Sequence, residues 1–134
     1  MLGEVIGESH GKRTGRRVIQ SRGGGVRVEV SFEDTGKMAG VDVSGIATYW
    51  SEVRPDGTIY GEGQGVGIGK DGEMATWRGM GVGKFTGGGA VSYRGMLSYY
   101  SASPKLSRLN GVGAVFEYSV DASGNTHTKL WEWK

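Results

Sequence analysis

Ile59-Tyr60-Gly61-Glu62-Gly63-Gln64-Gly65-Val66-Gly67-Ile68-Gly69, then Lys70-Asp71-Gly72-Glu73, then Met74-Ala75-Thr76-Trp77-Arg78-Gly79-Met80-Gly81-Val82-Gly83, reads as one β-hairpin. Glycine falls at every second position, the period of a strand. A helix would lose about 1 kcal/mol at each interior glycine. Asp71-Gly72 is a strong two-residue hairpin signal. With the turn there, Ile68 faces Met74, Val66 faces Thr76, Gln64 faces Arg78, Glu62 faces Met80 and Tyr60 faces Val82. The other face pairs Gly67 with Ala75, Gly65 with Trp77, Gly63 with Gly79 and Gly61 with Gly81.

The same period extends outward in both directions. Val26, Val28, Val30 and Phe32 alternate with Arg27, Glu29, Ser31 and Glu33, a strand with one wet face. Arg54-Pro55-Asp56-Gly57, Gly87-Gly88-Gly89 and Ser123-Gly124-Asn125 supply further turns. Strands are expected near 3–9, 14–21, 26–33, 38–51, 58–69, 73–85, 90–101, 111–121 and 126–133. Residues 102–110 break the pattern and read as a plain loop rather than a lid over a barrel mouth. No linker divides the chain, so residues 1–134 form one domain. The fold class is all-β: a closed, antiparallel, up-and-down barrel of about eight strands, because closure removes exposed edges.

The inside of that barrel is expected to be the apolar face of each hairpin. The turn at Pro55-Asp56 puts Val41, Val43, Gly45, Ala47 and Tyr49 with Glu62 and Gln64. The turn at 86–89 adds Val91, Tyr93, Gly95, Leu97 and Tyr99. Val112, Ala114, Phe116, Tyr118 and Val120 follow, with Trp131 and Trp133 beside them. The expected ligand-binding residues are Glu62, Gln64 and Arg78 as polar anchors among Tyr49, Tyr60, Met80, Tyr93, Tyr99 and Trp131. A buried carboxylate needs a partner, and Arg78 is diagonal to Glu62. A structural ion pair is the competing account of that trio. The glycine face then lies outside, where Trp77, Phe85 and Trp50 form a strip suited to homo-oligomer contact.

Composition excludes several functions. Sixteen basic against fourteen acidic residues give a net charge of +2, too little to imply a nucleic-acid partner. The cluster Lys12, Arg13, Arg16, Arg17 and Arg22 reads as a solvated hairpin. With no cysteine there is no disulfide, thiolate or cysteine-bound zinc. No long apolar run marks a signal peptide or a membrane helix, so no membrane partner and a cytoplasmic location are expected. His10 and His127 are far apart in sequence and read as ordinary strand residues, so no metal site is expected. No motif calls for a cofactor: the glycine spacing of two belongs to a strand and not to a dinucleotide loop.

The order of Arg54-Pro55-Asp56-Gly57, Tyr60-Gly61-Glu62-Gly63, Trp77-Arg78-Gly79, Gly87-Gly88-Gly89, Leu106 to Gly113 and Leu130-Trp131-Glu132-Trp133 resembles uncharacterised bacterial families with an allene oxide cyclase-like barrel. The match covers roughly two thirds of the chain and rests mostly on glycines and turns. It implies an eight-stranded, calycin-like barrel and no known activity. Barrels of that shape hold a flexible apolar substrate in a folded pose. The catalytic residues of the plant cyclase have no counterpart here, since there is no cysteine.

Three functions follow. The first is binding of an apolar small molecule in the lumen. The second is a cofactor-free cyclase or isomerase in the same pocket, with Glu62 or a tyrosine as acid or base. The third is an oligomerising structural barrel with a filled interior. Binding is preferred to catalysis, and the volume of the lumen decides between the first two and the third.

Overall fold

The computed structural model describes residues 1–21, 23 and 25–134. Eight antiparallel strands follow one another around a closed barrel: β1 Leu2–Ile19, β2 Arg27–Met38, β3 Val41–Val53, β4 Ile59–Gly69, β5 Met74–Gly87, β6 Ala90–Tyr100, β7 Gly113–Val120 and β8 Asn125–Trp133. Each strand pairs with its chain neighbours, and β1 closes the ring against β8. The two segments expected over 3–21 are the single strand β1. A bulge between Arg13 and Gly15, and not a turn, interrupts its register.

The β4–β5 hairpin has the pairing that its Asp-Gly turn predicts, from Ile68 with Met74 to Gly61 with Gly81. Its orientation is the reverse of the expected one. Gly61, Gly67, Gly69, Ala75 and Gly81 are buried, whereas Glu62, Gln64, Arg78 and Met80 are exposed. Two irregular connections account for this. The β3–β4 turn runs over residues 54–58, with Val53 opposite Ile59, which sets Tyr49 across from Gly63 and Trp50 across from Glu62. A bulge between Phe85 and Gly87 then sets Tyr93 across from Gly83. Each shifts a strand by one residue, and a one-residue shift exchanges its faces.

Physically, an eight-stranded barrel has an interior just wide enough for side chains to fill. Large residues from one side therefore need small ones opposite. The indole of Trp77 lies flat over Gly65, where a Cβ would stand 2.5 Å from Trp77 Cε2. The glycine strip is therefore the inner wall on which the aromatics rest. The glycine-rich face with Trp77, expected outside, therefore faces the lumen. Of the three aromatics expected outside, Trp50 faces out, Phe85 sits exposed near the end of β5, and Trp77 faces the lumen.

Two packed layers hold the barrel. At one end lie the termini, the Ala39-Gly40 turn, the 70–73 turn and a short 3-10 helix, η1 (Pro104–Leu109). There Ile6, Met38, Leu97, Tyr99, Ala114 and Leu130 pack with Leu106 and Leu109, which are 0% and 1% exposed. The segment expected to be a plain loop is thus a plug whose two leucines cap the core. At the other end Phe32, Ala47, Ile59, Tyr93, Tyr118 and Val120 form a second cluster, joined by Tyr49. Among the described residues no helix is long and apolar enough to cross a membrane.

Candidate functional site

Between the two layers lies a cavity of about 110 Å³. The rings of Phe32, Tyr49, Tyr93 and Tyr118 border it on one side, and Met38, Leu97, Tyr99 and Leu130 on the other. The four upper rings form an edge-to-face and tilted cluster, with Tyr118 5.2 Å from Phe32 and 5.6 Å from Tyr49 between centroids. Tyr118 Oη donates to Tyr49 Oη at 3.3 Å. Burial raises the pKa of Tyr49, Tyr93, Tyr99 and Tyr118 above the ordinary phenol value, so all four remain neutral donors.

One carboxylate enters this apolar space. Asp34 continues the inward row Val28, Val30, Phe32 on β2. Its cross-strand partners are Gly11 on β1 and Gly45 on β3. A Cβ at Gly45 would collide with Asp34 Oδ1, so the absent side chain is what admits the carboxylate. Ser9 Oγ donates to Asp34 Oδ2 at 3.0 Å. Burial raises the Asp34 pKa above the usual aspartate value, and the Ser9 hydrogen bond opposes that only in part. No cation among the described residues contributes to the balance. The arrangement offers a partly desolvated acceptor, able to hold a proton, a hydroxyl or an ammonium group.

The expected site residues divide into two sets. Tyr49, Tyr93 and Tyr99 line the cavity, and Glu62 and Met80 border it although their row of side chains faces outward. Glu62, Gln64, Arg78, Met80, Tyr60 and Trp131 carry their side chains on the outer wall, because the faces of β4, β5 and β8 are reversed. There Tyr60 Oη donates to Glu62 Oε2 at 2.7 Å, and its ring packs on Trp50 beneath the Arg54 guanidinium. Gln64 Nε2 donates to the Thr48 carbonyl at 3.1 Å. Lys129 Nζ lies 5.5 Å from the Trp131 ring. Arg78 therefore forms no lumen ion pair with Glu62. Sequence reasoning missed Asp34 by ending its strand at residue 33. The alternation Val28, Val30, Phe32, Asp34, Gly36, Met38 was the available signal.

Of the basic cluster, Arg17 pairs with Glu29 at 3.2 Å, and Arg22 lies outside the described residues. His10 and His127, expected as unrelated strand residues, are direct neighbours across the β1–β8 seam.

Fold and cavity define a small closed β-barrel with a narrow lumen. No protein-family model matches the chain, and no curated protein does. Solved structures match over nearly the whole length. A conserved protein of unknown function from Rhodopseudomonas palustris has a TM-score of 0.80 at 12% identity, covering 98% of this chain and 97% of its own. A protein of unknown function from Clostridium acetobutylicum has a TM-score of 0.79 at 16% identity, covering 98% of both chains. A β-barrel-like protein from Acinetobacter baumannii has a TM-score of 0.80 at 13% identity, covering 98% and 94%. At these identities the likeness establishes the fold alone.

Proposed function

We propose that the barrel binds a small, largely apolar molecule of about single-ring size, with Asp34 and Ser9 receiving its polar group. The observation that carries this reading is the cavity of about 110 Å³ between two packed layers, with the partly buried Asp34 carboxylate among rings and glycines. Binding pockets are mostly apolar with a few placed polar groups. An apolar protein cavity of roughly 150 Å³ takes up benzene. The resemblance to allene oxide cyclase-like, calycin-like barrels supports a lumen site, and a cytoplasmic location goes with the same reading. Asp34 takes the role first expected of Glu62. The raised pKa of Asp34 favours a second reading, a cofactor-free isomerase with Asp34 as acid or base. The small volume argues against a long flexible substrate for it.

Titration of the labelled protein with benzylamine, benzyl alcohol and toluene, followed by NMR, tests the binding reading. Saturable shifts at Tyr93, Tyr118 and Asp34 are expected, with benzylamine strongest. Asp34→Asn should remove the preference for the amine while toluene still binds. Absence of saturable binding by all three probes, or unchanged binding after Val43→Phe fills the cavity wall, overturns it.

A further inference from the structure

We propose that Glu8, His10 and His127, on the outer wall where β1 meets β8, form a binding site for one divalent transition-metal ion of the zinc type. His10 and His127 are direct cross-strand partners, so their side chains leave the same face of the sheet. The two imidazoles stack, with centroids 4.5 Å apart and planes inclined by 25°. Glu8 stands two residues before His10 on that face. Its Oε2 lies 2.8 Å from His127 Nε2. One ligand atom from each of the three residues lies within 4.8 Å of the others. Two imidazole nitrogens and one carboxylate oxygen are a donor set that zinc accepts while keeping a position for water.

The surroundings leave these donors available. Lys37 on β2 and Lys129 on β8 are the cross-strand partners of Glu8. Lys37 Nζ is engaged by Asp42 Oδ1 at 2.8 Å, and Lys129 Nζ lies over Trp131. Neither lysine takes the carboxylate. A Glu8–His127 ion pair by itself gives His10 no role, and two stacked imidazoles repel each other when both are protonated. A shared cation requires both rings neutral and uses all three residues. The donors come from opposite ends of the chain, so no short spacing motif announces them.

The full chain is titrated with Zn²⁺ at pH 7.5 in a non-chelating buffer, by calorimetry and by the ring-proton NMR signals of the two histidines. One equivalent should bind, with both rings responding together. His10→Asn and His127→Asn should each weaken binding by at least about tenfold, a loss that even an outer-shell partner can cost. Glu8→Gln should weaken it while leaving both histidine rings responsive. Thermal midpoints of the metal-free variants report whether each still folds, and Glu8→Gln provides a charge-only change if a histidine variant does not. No saturable Zn²⁺ binding, or equal affinity in the histidine variants, overturns the proposal.

Discussion

Replacing Leu106 by alanine tests whether η1 is a structural plug. Leu106 is 0% exposed and packs with Leu109 against the lower core. The helix is also tethered by ion pairs, Arg108 to Glu4 at 2.7 Å and Lys105 to Glu73 at 3.6 Å. An exposed pair such as Arg108–Glu4 contributes about 0–1 kcal/mol, and the longer Lys105–Glu73 pair joins an exposed lysine to a buried carboxylate, so the leucines decide whether η1 stays. A buried Leu→Ala change costs about 2–5 kcal/mol, the larger values arising where the surroundings cannot collapse. Hydrogen-bonded strands surround this site, so a loss of about 3 kcal/mol is expected. A chain of this length unfolds with an entropy of about 0.28 kcal/mol/K, which converts that loss to a fall of about 10 °C in Tm. Urea denaturation and calorimetry would measure both quantities. Leu106→Met, which conserves volume, should cost less than about 1.5 kcal/mol. A loss below about 1 kcal/mol for Leu106→Ala would show η1 to be a loose connection, and the closed end of the lumen would have to be reassigned.

Four further outcomes follow. Gly65→Ala should destabilise by about 1–3 kcal/mol through overpacking against Trp77, whereas an outward glycine would tolerate the change, so urea midpoints separate the two orientations. Asp34→Asn should raise stability at neutral pH. The folded-state pKa of Asp34 is raised, so its ionisation costs stability as pH climbs from the unfolded aspartate range to the folded value, and the advantage of Asn should vanish in acid. An advantage independent of pH would contradict the burial of that carboxylate. Tyr118→Phe removes the hydroxyl that donates to Tyr49 and should cost about 1 kcal/mol in equilibrium denaturation. Arg78→Ala, on the outer wall, should leave benzylamine binding unchanged, and a weakened affinity in the same NMR titration would return Arg78 to the site.

The strands and the β4–β5 register were legible because side-chain alternation and the Asp-Gly turn are local signals. Facing was not, because it depends on two connections whose lengths the turn residues do not announce. Proline and glycine at 55 and 57 mark a turn, but only the Val53–Ile59 pairing shows that it spans 54–58. The bulge before Gly87 is equally silent. Nor does apolarity alone identify the inside of so narrow a barrel. Met80, Val82 and Met96 are apolar and exposed, while the inward positions opposite the rings must be nearly empty. Tyr49, Tyr93 and Tyr99 were recognised because rings need burial under either facing. Asp34 is visible only once β2 is extended to the Ala39-Gly40 turn, where Ala39 takes φ 49° and Gly40 φ 83° without the usual Asn or Asp. The Glu8–His10–His127 group depends on barrel closure, a pairing that no local pattern encodes.

Packed side chains at the two ends of the lumen bear on how the proposed guest would enter. The leucines of η1 pack at one end, and the Phe32–Tyr49–Tyr93–Tyr118 layer lies toward the other. A guest of the proposed kind would pass these side chains on its way to Asp34, so its capture and release would depend on how they move. Association that requires such a rearrangement is slower than ordinary docking. Slow motion there would lengthen residence even at modest affinity. A guest acquired during folding would survive rapid purification, and a freshly added one would enter over a period set by how often the barrel opens.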